Sequence, residues 1–339
     1  MITVLLCVFL SLFVLYNWLS VKPLRHIPGP APLPIIGNIT QINPKQVHKE
    51  ITTLAKQYGG VYKLKFFGEN IVVISGQKYI YEVLVTKGAD FSGRPYSYRL
   101  ALNTDNYQGV LFCDMSPVLI WRRKVMYNFI RQTGQGLMHI EDVTLSSIER
   151  FVGNLNEHIN EPVDIHEKLF ECLSEIMSIL LVGEAMAKAD ILKFKKIVLS
   201  LSEVFNPGGT GILLDIFPSI RYFGFYAYQH ILESKKIKKQ IVGEWLKRDV
   251  HVGFVNSLQT LSDEEKGKYH VTETVVENML YDFLEAGIIT TYGTLTTLMN
   301  VLVHHTHVQR KLQEEVNKVR ENESMLMMLF YSKFCYCLS

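Results

Sequence analysis

The run from Ile2 to Ser20 constrains this chain most, because it contains 19 residues and no charged side chain. At 1.5 Å per residue it forms a helix of about 28 Å, close to the hydrocarbon thickness of a bilayer. Lys22 and Arg25 follow, and basic residues favour the cytosolic side. We therefore predict a transmembrane signal anchor over residues 1–20, with the rest of the chain in the cytosol. The alternative, a cleaved signal peptide, lacks support from a basic n-region or a small-x-small cleavage site.

Residues 21–38 form the next segment, in which Pro28, Pro30, Pro32 and Pro34 alternate with other residues. Proline fixes φ and removes an amide donor, so this segment is stiff, extended and non-helical. It is predicted to be a semi-rigid hinge that sets how a cytosolic domain sits on the membrane. A generic proline-rich linker is the alternative interpretation.

The remaining pattern is mostly helical. Residues 44–58 have helical spacing, 61–66 alternate like a strand, 68–70 form a turn, and 71–74 form a second strand. Helical spacing returns over 76–87 and dominates afterwards, with helices predicted at 117–133, 140–157, 165–183, 189–205 and 228–249. The expected fold class is mainly α with a small β-sheet at one edge.

A helix of some 32 residues is predicted from Thr272 or Thr274 to about Val303, and Glu277 could complete a capping box with Thr274. Its middle contains Ala286-Gly287-Ile288-Ile289-Thr290-Thr291. Glycine weakens the helix locally and threonine hydroxyls can bond to the preceding turn, which permits a groove on one face. A close helix crossing explains the small residues equally well.

The segment Asp114 to Lys124 contains Ser116-Pro117 followed by Trp121-Arg122-Arg123-Lys124. Cations near a helix start oppose the helix dipole, so a nearby anionic group would account for them. A solvated charged face is the alternative.

Together these motifs resemble the cytochrome P-450 family, in its animal microsomal form. The resemblance rests on the Pro-Gly-Pro hinge after the anchor and on four further segments in family order: 91–95, 116–124, 286–291 and 308–315. It implies a cytochrome P-450-like helical domain, incomplete here, over residues 39–320 behind the N-terminal transmembrane helix.

The resemblance also implies site residues for a haem cofactor. Ala286 and Gly287 would lie over the haem, and Thr290, followed by Thr291, would steer protons to iron-bound oxygen. Arg123 would hold a haem propionate. Two positions depart from the family pattern. Ile289 replaces an acidic residue, and Leu119 replaces a tryptophan for which the nearby Trp121 could compensate.

The thiolate that binds the haem iron in this family has no counterpart in the sequence. None of Cys7, Cys113, Cys172, Cys335 and Cys337 follows an arginine at the family's spacing, and the Glu-x-x-Arg pair is also absent. Residues 321–339 form an aberrant tail unlike the family, and no metal ligand is predicted. Cys335 as a substitute ligand is the alternative. We expect the chain as it stands to be inactive.

Function follows from the resemblance: insertion of one oxygen atom of O₂ into an apolar substrate (a steroid, fatty acid or foreign compound), with electrons from NADPH through a reductase. The implied location is the endoplasmic reticulum membrane, single-pass, on the cytosolic face. One alternative is a non-catalytic anchored fragment or decoy that binds the reductase through Arg122, Lys124 and Arg131. Another is an unrelated anchored helical scaffold. A net charge of +2 is too small to predict a nucleic-acid partner.

Six aromatic residues lie within Phe217 to Tyr228: Phe217, Tyr222, Phe223, Phe225, Tyr226 and Tyr228. In the family this region roofs the substrate channel and dips into the membrane surface, which suits aromatic side chains. Ordinary core packing is the alternative.

Overall fold

The computed structural model describes residues 26–67, 69–132, 137–158, 161–206, 209–248 and 251–320, with Val8, Ser11, Leu15 and Leu24. The predicted anchor, apart from three of those isolated positions, and the predicted tail at 321–339 lie outside the described residues. Within the described ranges, one continuous helix, Glu273–His304, is long and apolar enough to cross a membrane.

The described part of the chain is mainly helical. Its elements in order are α1 (Val47–Tyr58), β1 (Val61–Phe66), β2 (Glu69–Ile74), α2 (Gln77–Tyr81, continued by a π-helical turn over Glu82–Thr86), α3 (Tyr98–Asn103), α4 (Pro117–Gln132), α5 (Leu137–Asn156), α6 (Ile165–Val182), α7 (Lys188–Phe205), α8 (Leu213–Ile216), α9 (Tyr226–Lys247), α10 (Gly253–Gln259), α11 (Asp263–Lys268), α12 (Glu273–His304) and α13 (Thr306–Arg320). Short 3₁₀ turns lie at Ile39–Gln41, Pro44–Gln46, Thr210–Ile212 and Pro218–Phe223.

The predicted fold class is confirmed for the mainly helical chain with a small sheet. The second strand is longer than predicted, because β2 begins at Glu69 rather than after a turn at 68–70. Phe66 pairs with Glu69 across an antiparallel ladder, so Glu69 and Asn70 belong to the second strand rather than to the predicted turn.

The proline-rich segment does not stand apart as a spacer. Lys63 N donates to Pro28 O at 2.8 Å, and Asn38 N donates to Lys65 O at 2.6 Å. Asn38 is 1% exposed, and its Oδ1 accepts from Lys65 N at 2.8 Å. The segment covers one edge of β1, and it is not extended throughout, because a turn over residues 34–36 brings Leu33 into a bridge with Gly37. Among the described residues, nothing pairs with the opposite edge of β2.

The chain divides into two compact units. The first contains residues 1–136 and 189–282, and the second contains 137–188 and 283–339. In the first unit, Tyr62 and Leu64 of β1 are buried together with Ile42, under apolar side chains of α1. In the second unit, α5 packs against α6, whose apolar side chains, among them Phe170 and Leu181, are buried. Burial of such surface stabilises each unit.

Candidate functional site

The long helix α12 contains the most specific motif. Of the two residues predicted to cap its start, Thr272 and Thr274, the structure shows the first. Thr272 Oγ1 accepts from Val275 N at 3.3 Å, so Thr272 is the capping residue. The predicted capping box of Thr274 and Glu277 is wrong, because the helix already begins at Glu273. Glu277 is instead buried, which raises the pKa of its carboxyl, and its nearest cation is Lys239 at 4.0 Å.

Thr290 bonds to its own helix. Its Oγ1 donates to Ala286 O at 2.7 Å, while the side chain remains exposed. Thr294 repeats the arrangement with an Oγ1–O distance of 2.9 Å to Thr290. Thr291 is also exposed, and its hydroxyl has no partner among the described residues. The motif therefore presents one engaged hydroxyl and one free hydroxyl on consecutive residues.

Gly287 lies at a close contact with α6. A Cβ at this position would come within 2.5 Å of Met177 Sδ, so only glycine fits without moving that side chain. Tyr292 extends the contact: its hydroxyl lies 3.1 Å from His166 Nδ1, and its ring meets Phe170 edge-on at 5.6 Å. The atoms nearest to Gly287 belong to the flexible end of a methionine side chain, so both the close-crossing interpretation and the predicted haem contact stay predictions.

Asp282, two turns before Thr290, is committed elsewhere. Its Oδ2 accepts from Val110 N at 2.5 Å and from Leu111 N at 3.1 Å. Any Cβ on residue 109 would collide with the same carboxylate, so Gly109 is required. Burial raises the pKa of Asp282, and the two backbone donors oppose that rise. The carboxyl therefore holds a loop of the first unit in place.

Two adjacent arginines in α4 have opposite environments. Arg122 is 4% exposed, donates from Nη1 to Gly109 O at 2.8 Å, and leaves Nε without a partner among the described residues. Arg123 is exposed and makes no hydrogen bond or ion pair with a described residue. Arg123 can accordingly receive an external carboxylate, as predicted for a haem propionate. The expectation that Arg122 contacts a reductase is wrong, because its guanidinium is buried; Lys124 and Arg131 are exposed.

Trp121 faces a different part of the first unit. Its ring is 7% exposed and stacks on Tyr269, with centroids 4.6 Å apart and planes at 12°. The stacked pair borders a groove of about 370 Å³ that charged groups also line, including Lys124, Glu264 and Lys268. Trp121 was predicted to take over, in haem binding, the role of the tryptophan that Leu119 replaces. The stacking on Tyr269 does not test that role, which stays a prediction. Leu119 itself is buried, with 1% exposure.

Sequence reasoning missed a polar network under α12. Lys238 is 5% exposed, and its Nζ donates to Asn278 Oδ1 at 2.5 Å. Asn278 Nδ2 donates to Asp105 Oδ2 at 3.2 Å, and Asp105 pairs with Lys235 at 2.6 Å. The bonds from Lys235 and Asn278 and the nearby lysine charges lower the pKa of Asp105, although burial acts against them. The one sequence signal was Asp105-Asn106, residue types that tolerate the left-handed conformation found there.

The aromatic segment divides into two groups. Phe217, Tyr222 and Phe223 are 54%, 73% and 87% exposed. Phe225 and Tyr226 are half-buried, and their rings lie 5.0 Å apart. Neither the membrane interpretation nor the core interpretation therefore describes the whole segment.

The model of one protein family, Cytochrome P450, matches residues 27–334 of the 339. Among curated relatives, the steroid 17-alpha-hydroxylase/17,20 lyase of Mesocricetus auratus is 26% identical over 84% of this chain and 59% of its own length. Cytochrome P450 1A1 of Opsanus tau is 26% identical over 89% and 61%, and cytochrome P450 2C3 of Oryctolagus cuniculus is 27% identical over 86% and 61%. The chain spans about three fifths of the length of these curated relatives.

Proposed function

Because the chain belongs to the cytochrome P450 family, we propose that it serves in a haem-dependent monooxygenase that inserts one oxygen atom of O₂ into an apolar substrate. The observation that carries the proposal is the Thr290–Ala286 hydrogen bond of 2.7 Å in the middle of α12, with the free hydroxyl of Thr291 beside it. A hydroxyl held on a carbonyl can accept and return a proton at a defined atom. This is the role proposed for Thr290.

A haem would supply the chemistry of O₂ activation, for which the protein would have to provide cations for the propionates and a thiolate for the iron. Taken singly, Arg123, which is exposed and has no partner among the described residues, could hold a propionate, and Thr290 could hold a proton at its hydroxyl. The described cysteines assign no thiolate. Cys172 is buried, its Sγ lies 3.7 Å from Ser147 O, and burial raises its pKa to about 11, so it stays a thiol at neutral pH. Cys113 lies in a loop, 4.0 Å from Arg122 Nη1.

The partners are part of the same proposal. The substrate would be a steroid, a fatty acid or a foreign compound, and electrons would come from NADPH through a membrane reductase that meets exposed Lys124 and Arg131. The location would be the cytosolic face of the endoplasmic reticulum membrane, held by a single N-terminal span. The exposed rings of Phe217, Tyr222 and Phe223 suit the interfacial region of that membrane.

The test begins with the messenger RNA, sequenced from the codons of Glu314 and Glu315 to the poly-A tail. The 339-residue chain and the product of the whole transcript are then expressed in membranes with haem, reduced and exposed to carbon monoxide. We expect the whole product to give a thiolate-type spectrum and to oxidise apolar substrates with NADPH and reductase. Thr290→Ala should lose coupled product formation, and Thr290→Ser, which keeps the hydroxyl, should retain more of it.

A transcript that ends at Ser339, whose product gives no thiolate-type spectrum, would overturn the proposal. Binding of that product to the reductase, weakened by Lys124→Glu and Arg131→Glu, would then support the decoy function instead. The Arg122→Gln variant is unsuitable for this purpose because the side chain is buried.

A further inference from the structure

The groove between α4 and α11 lies within the first unit, and the proposed function uses only Lys124 of the residues that line it. Its volume of about 370 Å³ falls within the range of small-molecule sites, about 300–1,000 Å³. One wall is a single face of α4, on which Trp121, Lys124, Val125 and Asn128 recur at intervals of three and four residues. The opposite wall consists of α11 and the residue that follows it. The groove therefore has room for a small molecule between two helices.

The walls of the groove are fixed before any ligand binds. The Trp121 and Tyr269 rings are stacked with their centres 4.6 Å apart, which joins α4 to the residue after α11. At the other end of α11, Ser262 Oγ accepts from Glu265 N at 3.2 Å, and Glu265 Oε2 accepts from Ser262 N at 3.4 Å. This reciprocal cap orders the first turn of the helix. A ligand accordingly binds without the entropic cost of ordering these walls.

Two charged side chains that line the groove have no partner among the described residues. Lys124 of α4 and Glu264 of α11 are exposed, and neither makes a hydrogen bond or ion pair with a described residue. Glu264 precedes Lys268 by four residues, a spacing that favours an ion pair on one helix. No such pair forms in the described part of the chain, and Lys268 Nζ lies 5.3 Å from the centre of the Tyr269 ring. One wall thus offers a cation and the other a carboxylate.

The charges of the groove limit the class of ligand, because two lysines and two glutamates line it. The glutamates repel a purely anionic ligand, and the lysines repel a purely cationic one. A purely apolar ligand would displace water from the charged groups without replacing its hydrogen bonds. A ligand with one charge of each sign can pair with Lys124 and Glu264 together. Trp121 and the half-buried Val125 supply apolar surface for the rest of such a ligand.

We propose that this groove binds a free amino acid with an apolar side chain. The carboxylate of the ligand pairs with Lys124, its ammonium pairs with Glu264, and its side chain lies against Trp121 and Val125. The site goes beyond the proposed function and does not rest on it, since no part of it requires a haem.

Three probes that differ only in charge test the site on the full 339-residue chain, in an uncharged detergent and without haem. At about pH 6, L-phenylalanine has both charges, N-acetyl-L-phenylalanine has only the negative charge, and L-phenylalanine amide has only the positive charge. Saturation-transfer NMR titrations give the three values of Kd. Phenylalanine should bind at least about threefold more tightly than either blocked probe, because each blocked probe loses one charged contact.

Two variants assign the ends of the ligand. Lys124→Met should remove the difference between phenylalanine and its amide and keep the difference from the N-acetyl probe. Glu264→Gln should do the reverse. Both side chains are exposed, so both variants should fold. The matched control is Lys49→Met, which removes an exposed lysine of α1 outside the groove and should keep both differences.

Equal affinities of the wild type for all three probes would overturn the site, as would the absence of phenylalanine binding up to about 10 mM. Differences that persist in both variants would also overturn it, because the probe then binds elsewhere. Haem takes no part in these measurements, so failure of the monooxygenase proposal leaves the test intact.

Discussion

The polar side chains in the two parts of α12 differ in their burial and in their hydrogen-bond partners. In the first part, Glu273 to Asp282, Asn278 is fully buried, Asp282 is 4% exposed, and both bind other elements of the first unit. In the second part, Phe283 to His304, Thr290 and Thr294 are exposed, and their hydroxyls bond to carbonyls of the same helix. In the first part these polar side chains therefore bind neighbouring elements, whereas in the second part the exposed threonine hydroxyls bond only within the helix.

This difference shows where substitutions should affect folding and where they should affect chemistry. A buried polar group whose partner is removed leaves an unsatisfied atom, which is expensive. A hydroxyl bonded within its own helix contributes little to packing. Four sets of variants test this difference between the two parts of α12, beginning with the greatest expected loss of stability.

Asp282→Ala should lower the free energy of unfolding by about 3–5 kcal/mol, measured by urea denaturation, because two backbone donors and the buried Arg122 lose a carboxylate. Both donors bind a single oxygen, so Asp282→Asn can keep both bonds and should lose much less stability than Asp282→Ala, although Arg122 still loses the nearby carboxylate. Equal losses in the two variants would show that the charge, rather than the acceptor, holds the loop.

The pH dependence of Asp282 has a defined sign. Burial raises the pKa of this carboxyl in the folded state, so the folded state binds the proton more tightly than the unfolded state. The resulting stabilisation is complete below about pH 4 and is lost as the pH rises through the folded-state pKa. The stability difference, wild type minus Asp282→Asn, should therefore fall with rising pH in denaturation series. A difference that rises with pH contradicts the assignment.

Asn278→Leu should cost about 2 kcal/mol of unfolding free energy, because the Lys238 ammonium and the Asp105 carboxylate both lose a hydrogen-bond partner. Lys238→Met removes the buried charge together with its need for a partner, and should cost less. Thermal denaturation of the two variants side by side compares them. A greater loss in Lys238→Met would mean that the ammonium itself stabilises the network.

Tyr292→Phe should cost about 1 kcal/mol, since it loses the hydroxyl contact with His166 but keeps the ring contact with Phe170. Tyr292 lies in the part of α12 with the exposed threonines, and it tests whether that part is anchored through α6. The Tyr292→Leu variant also loses the ring contact and should be less stable than Tyr292→Phe in the same urea series. Equal stability of the wild type and both variants would show that Tyr292 does not anchor this part of α12.

Thr290→Val should change the unfolding free energy by less than about 0.5 kcal/mol, because the lost hydroxyl is exposed and bonded only within the helix. Thr290→Ser provides the matched variant that retains the hydroxyl. A loss of about 2 kcal/mol or more in Thr290→Val would make the hydroxyl structural, and the contrast between the two parts of α12 would disappear.

Much of the helical architecture could be predicted from the sequence, since α4 to α7, α9 and α12 have long periodic patterns with local caps such as Thr272. The short helices α3 and α8 could not, because the cap of α3 is completed by a residue far along the chain. The network of Asp105, Asn278 and Lys238 is equally non-local.

For the candidate site, the sequence indicated which residues belong to it, but not which of their side chains are buried and which are exposed. The family resemblance identified Thr290 and Arg123, yet adjacent residues in a helix point about 100° apart, and the sequence alone does not reveal which direction leads inside. Gly109 O and the loop held by Asp282 draw Arg122 inward and leave Arg123 outside. The stacking of Trp121 on Tyr269 is a further contact that the sequence did not indicate, because the two residues are far apart along the chain.

One edge of β2 has no strand partner among the described residues. Ile71 and Val72 on that strand are each 37% exposed. An exposed strand edge with β-branched side chains is a template for pairing with another chain, so this hairpin is the place in the described part of the chain where self-association would begin.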